Sequence, residues 1–139
     1  MQRIKSRAQY QAVMTAGTST KQGHFVLHHL ADIKSHPLFT QDTLYLGALV
    51  PKRWAKRAVR RNLVKRQIYS VAALYQYRLK AQPYVVRLQR GFDSANHPSA
   101  GSIALKRLVR AELEALFGRS SHGNAASAAG ALSPPVALP

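Results

Sequence analysis

Eight of the fifteen residues from Lys52 to Arg66 are cationic: Lys52, Arg53, Lys56, Arg57, Arg60, Arg61, Lys65 and Arg66. No Asp or Glu occurs from Thr43 to Phe92, so nothing nearby in sequence neutralises them. Such a run repels itself unless a polyanion lies against it, which points to nucleic acid. Each Lys or Arg set against a phosphate releases condensed counterions, and six such contacts on a duplex give a log–log salt slope of about −5. The plainer reading, a solvated cationic face, requires more unpaired charge than solubility needs. Asn62 lies inside the run. A helix-interior Asn is mildly unfavourable, so it serves either a base edge or sugar hydroxyl, or a neighbouring side chain or carbonyl.

Catalytic chemistry by the chain itself is poorly provided for. The five acids, Asp32, Asp42, Asp93, Glu112 and Glu114, form no paired motif. The two glutamates are two residues apart on an expected helix and point away from each other. The six histidines, at 24, 28, 29, 36, 97 and 122, show no metal-ligand spacing. His28 and His29 are adjacent on an expected strand and face opposite ways. A metal or acid–base nuclease centre built from protein groups alone is therefore not expected.

The rest of the composition fits a binding module. The chain has 139 residues, 46% of them apolar, and a formal charge of +16. That is enough apolar material for one real core, with a basic surface that suits nucleic acid; a basic membrane-surface protein is the competitor. No cysteine is present, which removes disulfides and thiolate metal sites. No apolar stretch approaches the ~20 residues that span a bilayer, and the start lacks the apolar region of a signal peptide, so the cytoplasm is expected and a membrane is not.

The elements that must position the basic run can be read from periodicity. Ser6 to Ala16 predicts a short helix with a Ser6/Gln9 capping box, an apolar face of Tyr10, Val13 and Met14, and Gly17 ending it. Strands are expected around 18–22, 24–30 and 43–50. In the last, Leu44, Leu46, Ala48 and Val50 share one face, and Tyr45, Gly47 and Leu49 the other. Pro51 breaks that strand, and a long helix is expected from about Lys56. Its apolar stripe is Val64, Ile68, Val71, Ala72, Tyr75 and Leu79. Traced backwards the stripe falls on Arg61 and Arg57, so the first turns carry cations where a core would be. Cations at a helix N-terminus oppose the macrodipole, which is unfavourable for folding but additive for a phosphate ligand.

A strand at 84–89 and a last helix from about Ile103 to Phe117 follow, the latter capped by Ser102 and stopped by Gly118. Leu105, Leu108, Val109, Leu113 and Leu116 form its buried face. Residues 1–118 are expected as one domain, and 119–139, rich in Ala, Ser, Gly and Pro, as a disordered tail. The order αβββαβα describes a small α+β two-layer sandwich with a four-stranded sheet.

Segment 46–75 resembles the signature of the bacterial ribonuclease P protein component. That signature is a strand ending in Val and Lys, followed at fixed offsets on one helix by Ala-Val, Arg-Asn and Lys-Arg. Here those are Val50, Lys52, Ala58, Val59, Arg61, Asn62, Lys65 and Arg66. Tyr10, Val13 and Gly17, and Phe25-Val26-Leu27, resemble the family's opening helix and second strand. Departures are Arg57, Leu63, Tyr69 and Ser70, where the family often carries Asn, Arg, Arg and Glu.

The resemblance implies a left-handed βαβ crossover, against the usual right-handed rule. It implies that Lys56, Arg57, Arg60, Arg61, Asn62, Lys65 and Arg66 dock on a catalytic RNA. A cleft between the first helix and the central sheet would hold the single-stranded 5′ leader of precursor tRNA, with Tyr10, Met14, His28, Lys52 and Arg53 around it and Ala48 on its floor. Catalysis would belong to the RNA, with Mg²⁺ bound mainly by RNA and substrate, so that the chain is an enzyme subunit without catalytic residues, one protein per RNA. On residue types alone, Tyr10 and Met14 read as core more readily than as stacking platforms. The alternative for the whole chain is another structured-RNA-binding protein, ribosomal or an assembly factor. A DNA-binding regulator fits poorly, since no helix-turn-helix partner precedes the basic helix.

Overall fold

The computed structural model describes residues 1–31, 36–92 and 103–125, with side-chain surroundings through residue 119. In chain order the elements are β1 (Gln2–Arg3), α1 (Arg7–Met14), β2 (Thr18–Gln22), β3 (Phe25–His29), β4 (Tyr45–Leu49), α2 (Ala58–Tyr75), β5 (Pro83–Leu88) and α3 (Ile103–Ala125). The strands form one sheet in the order β1-β4-β5-β3-β2. β4 and β5 are parallel neighbours joined through α2, β3 runs antiparallel to β5, and β2 antiparallel to β3.

The α+β class holds, with one strand more than expected. β1 pairs in parallel with β4, Gln2 opposite Tyr45 and Arg3 opposite Leu46. Two residues carry no period to read. They are held because Ile4 is buried and its N–H donates to the Leu46 carbonyl at 2.9 Å.

Strand alternation divides the interior in two. Leu27, Leu46, Ala48, Val86 and Leu88 face α2 and α3, where they meet Val64, Ile68, Val71, Leu105, Val109, Leu113 and Phe117. Val85 faces the other way with Tyr45 and Leu49, and α1 packs there through Val13. The sheet backed by α2 and α3 thus carries α1 on its second face.

Three boundaries differ from the sequence reading. α2 begins at Ala58, so Lys56 and Arg57 precede the helix; Arg57 is its N-cap in extended conformation and makes no side-chain cap. Leu79 is buried, but in the turn that follows α2. α3 does not stop at Gly118 and continues to Ala125. Arg119 pins that extension, its Nη1 donating to the Lys21 carbonyl at 2.8 Å and to Gln22 Oε1 at 2.9 Å. The Ser102 cap, Asp32, Asp93, His97 and the tail from 126 lie outside the described residues.

Candidate nucleic-acid interface

α1 is started by its capping box: the Gln9 N–H donates to Ser6 Oγ at 3.1 Å, and the Ser6 N–H to Gln9 Oε1 at 3.2 Å. The Gln9 side-chain amide also donates to the Leu38 carbonyl, which fixes the helix against the segment before β4. With that orientation Val13 is fully buried, while Tyr10 and Met14 are only half-buried on its flanks. Val13 is the fully buried centre of this packing; Tyr10 and Met14 pack against the same cluster, as a core reading expects, and each keeps part of its surface exposed.

Tyr10 lies over β4 at Gly47. A Cβ at position 47 would stand 2.6 Å from Tyr10 Cε1, so only glycine lets the ring settle there. The Tyr10 hydroxyl donates to the Ala48 carbonyl at 3.4 Å, a long bond. Burial, and then the neighbouring Tyr69 phenol, raise the Tyr10 pKa, so the hydroxyl stays a donor.

Ala48 does not line the floor of this cleft with its side chain. Alternation points its Cβ into the α2–α3 core, and only its carbonyl meets Tyr10. Gly47 takes the position assigned to it, and a glycine in mid-strand was the available signal.

His28 lies on the α1 face of β3, opposite Val85 of β5, and is 9% exposed. Arg87, on the same face of β5, donates from Nε to His28 Nε2 at 3.3 Å. That bond requires an unprotonated Nε2. Burial, and then the Arg87 charge, hold the His28 pKa below its usual value, in keeping with a neutral ring. Arg87 thus brings to the cleft a cation absent from the residues expected there; strand alternation sets it on the face opposite Tyr84, Val86 and Leu88, which lie in the α2–α3 core.

Lys52 and Arg53 are exposed in the turn after β4. The Trp54 and Ala55 N–H groups both donate to the Pro51 carbonyl and close that turn. The Arg53 guanidinium lies 5.1 Å from the centre of the Trp54 ring. Gly91 packs on the Trp54 backbone, where a Cβ would meet its carbonyl oxygen at 3.1 Å.

On α2 the basic residues separate by role. Asn62, Lys65 and Arg66 are exposed. Arg61 is half-buried and turned back: its Nη1 donates to the Ala55 carbonyl at 3.1 Å and to the Lys56 carbonyl at 2.8 Å. It secures the turn into a helix whose N-cap contributes no side chain. Arg60 is half-buried as well. Two contacts orient the helix. Gln67 accepts from Arg110 of α3 at 3.3 Å, which marks the side towards α3. Tyr69 lies under the Arg3 guanidinium at 3.9 Å and beside Tyr10, which marks the side towards β1 at the edge of the sheet. Asn62 and Lys65, seven and four residues before Tyr69, fall on that second side. The two groups of residues proposed from sequence, at the cleft and on the helix, therefore meet where Tyr10 and Tyr69 come together.

The described glutamates are engaged in holding the fold. Glu112 of α3 accepts from the His24 N–H at 2.7 Å and contacts His24 Nδ1 at 2.8 Å, and it fills the space beside Gly23. Glu114 pairs with Arg110 at 3.4 Å. Among the described residues no group of three or more His, Asp or Glu comes together to suit a metal ion. No helix among them is long and apolar enough to cross a membrane.

These features define the class: a small basic α+β protein whose aromatic and cationic cleft joins an acid-free helical face. Known proteins agree with it. The family model described as Ribonuclease P matches residues 1–119. The ribonuclease P protein component of Ralstonia pickettii is 32% identical over 115 residues, covering 83% of this chain and 76% of that protein. That of Bordetella parapertussis is 43% identical over 74 residues, covering 53% and 56%. Among solved structures, the RNase P protein of Staphylococcus aureus aligns with a TM-score of 0.65 at 22% identity, over 86% of this chain and 94% of that one. The protein from Thermotoga maritima gives 0.61 at 20%, over 86% and 97%; at these identities the structures speak for the fold. The chain belongs to the ribonuclease P protein family.

Proposed function

We propose that this chain is the protein subunit of ribonuclease P, binding the catalytic RNA with the exposed side of α2 and the 5′ leader of precursor tRNA in the cleft under α1. The observation that carries the reading is the continuity of the two surfaces at Tyr10 and Tyr69. An unpaired leader offers base faces, for which Tyr10 is a platform, and phosphates, for which Arg87, Lys52 and Arg53 are partners. Stacking contributes about 1–3 kcal/mol per base. Asn62, Lys65 and Arg66 face outward to take phosphates and sugars of a structured RNA, with Lys56, Arg57 and Arg60 at the helix start adding charge.

The subunit acts by placement. Holding a leader against a catalytic RNA turns an encounter into a fixed geometry, and fixed geometry lowers the barrier without a protein acid or base. Mg²⁺ would be held mainly by the RNA and its substrate, and the protein would favour its binding by fixing the RNA around it. One protein bound to one RNA accounts for both surfaces.

Reconstitution tests the reading. Purified protein, the catalytic RNA of the same organism and a precursor tRNA are combined at low Mg²⁺, and 5′ maturation is followed. Faster maturation with protein than without is the expected result. Intact RNA binding with no gain in maturation would move the chain to the broader class of structured-RNA binders, and cleavage without RNA would make it a nuclease in its own right.

A further inference from the structure

The Arg3–Tyr69 pair stands at the junction of the two surfaces and belongs to neither group of residues assigned so far. Arg3 is exposed on the two-residue strand β1, and Tyr69 is half-buried on α2. The guanidinium carbon is 3.9 Å from the ring centre, so Arg3 lies face-on to the tyrosine. A guanidinium held by its face keeps its N–H donors at the rim. Among the described residues Arg3 has no carboxylate partner and makes no side-chain hydrogen bond. The ring thus limits the motion of a cation without neutralising it, which is the state that binds a phosphate with little further loss of side-chain freedom.

Its surroundings are those of an RNA surface. Lys65 and Asn62 extend from Tyr69 along the exposed side of α2, and Tyr10 lies on its other flank. The chain carries Tyr at 69, where an arginine would supply its own charge; here the charge reaches the same place from β1. A purely mechanical clamp for β1 would not require arginine, since Ile4 and two backbone hydrogen bonds to Leu44 and Leu46 already hold that strand.

We propose that Arg3, seated on Tyr69, is an RNA phosphate-binding group that joins the helix α2 surface to the Tyr10 cleft. The inference rests on the ribonuclease P reading above. The phosphate comes either from the catalytic RNA at the helix side or from the leader at the cleft side, and both carry the same phosphodiester chemistry.

The test uses the full chain with Arg3→Ala, Arg3→Lys, Tyr69→Leu, Tyr69→Phe and, as a reference for the helix surface, Lys65→Ala. Binding to the catalytic RNA is measured over a salt series, and binding of the reconstituted particle to precursor tRNAs with and without a leader is measured alongside. Arg3→Ala should lower the salt slope by about one in one of these two arms. It should weaken binding there several-fold. Arg3→Lys should restore the slope but not the full affinity, because an ammonium does not stack flat. Tyr69→Leu should weaken the same arm, whereas Tyr69→Phe should bind as the parent does. Thermal melts of all variants identify any that bind less because they are less folded; Arg3→Lys and Tyr69→Phe keep the packing. Arg3→Ala with unchanged slopes in both arms, while Lys65→Ala flattens its own, would reduce the pair to a clamp. If Lys65→Ala also leaves every slope unchanged, the helix reading itself fails and takes the inference with it.

Discussion

The Tyr10 ring occupies the space that a side chain at position 47 would fill: a Cβ built on Gly47 would lie 2.6 Å from Cε1 and 2.9 Å from Cζ of the tyrosine. Gly47→Ala should therefore leave the sheet paired but move the ring, which is the movable partner, and break its bond to the Ala48 carbonyl. Overpacking of this kind costs about 1–3 kcal/mol. The variant should melt lower and bind precursor tRNA as poorly as Tyr10→Ala does. An alanine variant with the parent's melting temperature and leader affinity would show that the seat is not tight.

Arg61 and Lys65 should behave differently although both are basic residues of one helix. Arg61 donates to the part-buried Ala55 carbonyl and to the exposed Lys56 carbonyl, and losing that charged donor costs about 1 kcal/mol after allowance for solvent. Arg61→Ala should lower stability in urea titration. Lys65→Ala should leave stability unchanged and reduce the salt slope of catalytic-RNA binding by about one. Equal losses of stability in the two variants would contradict the division.

Glu112 should matter for the fold and little for RNA. It accepts from the His24 backbone N–H and side chain and fastens α3 to the turn between β2 and β3. Glu112→Ala leaves a part-buried N–H without an acceptor, at a cost of about 1–3 kcal/mol. A denaturation midpoint that drops, with RNA affinity per folded molecule unchanged, is the expected outcome.

Stability should fall on mild acidification. Burial, with Arg87 beside His28 and Lys80 beside His29, holds both histidines below their usual pKa of 6.5. The unfolded chain takes up these protons first, so the contribution is complete above about 6.5 and is lost as pH falls through the lower folded values. Protonation would also remove the acceptor for Arg87 Nε. His28→Gln should flatten the melting temperature against pH below 6.5; a parent-like profile would assign the effect elsewhere.

Much of the framework was legible in the sequence because burial imposes periods. Val64, Ile68, Val71 and Ala72 are fully buried along α2, and the alternation of Leu44 to Val50 put the right residues on each face of β4. What was missed lacked a period or depended on distant partners. β1 is too short for one. Arg57 is not a capping residue, so nothing marked the start of α2 at Ala58. Gly118 reads as a stop, yet Arg119 bonds to β2 and carries the helix past it. Ala48 was assigned to the cleft although its own alternation pointed it into the core, and Gly47 was the residue to choose. The Arg3–Tyr69 stack joins residues sixty-six positions apart, which no local pattern reveals.

The central claim is that one protein surface has two RNA-binding parts that meet at Tyr10 and Tyr69. Its most direct measurement is the cleavage specificity kcat/KM of the reconstituted enzyme, with Tyr10→Ala and Lys65→Ala, on precursor tRNAs with long and with minimal leaders. The account predicts that Tyr10→Ala lowers it about tenfold or more for the long leader, the loss of one stacked base, and little for the minimal one. Lys65→Ala should lower it equally for both when protein and RNA are dilute, with recovery at higher concentrations. Equal loss for both leaders in well-folded Tyr10→Ala would contradict the account.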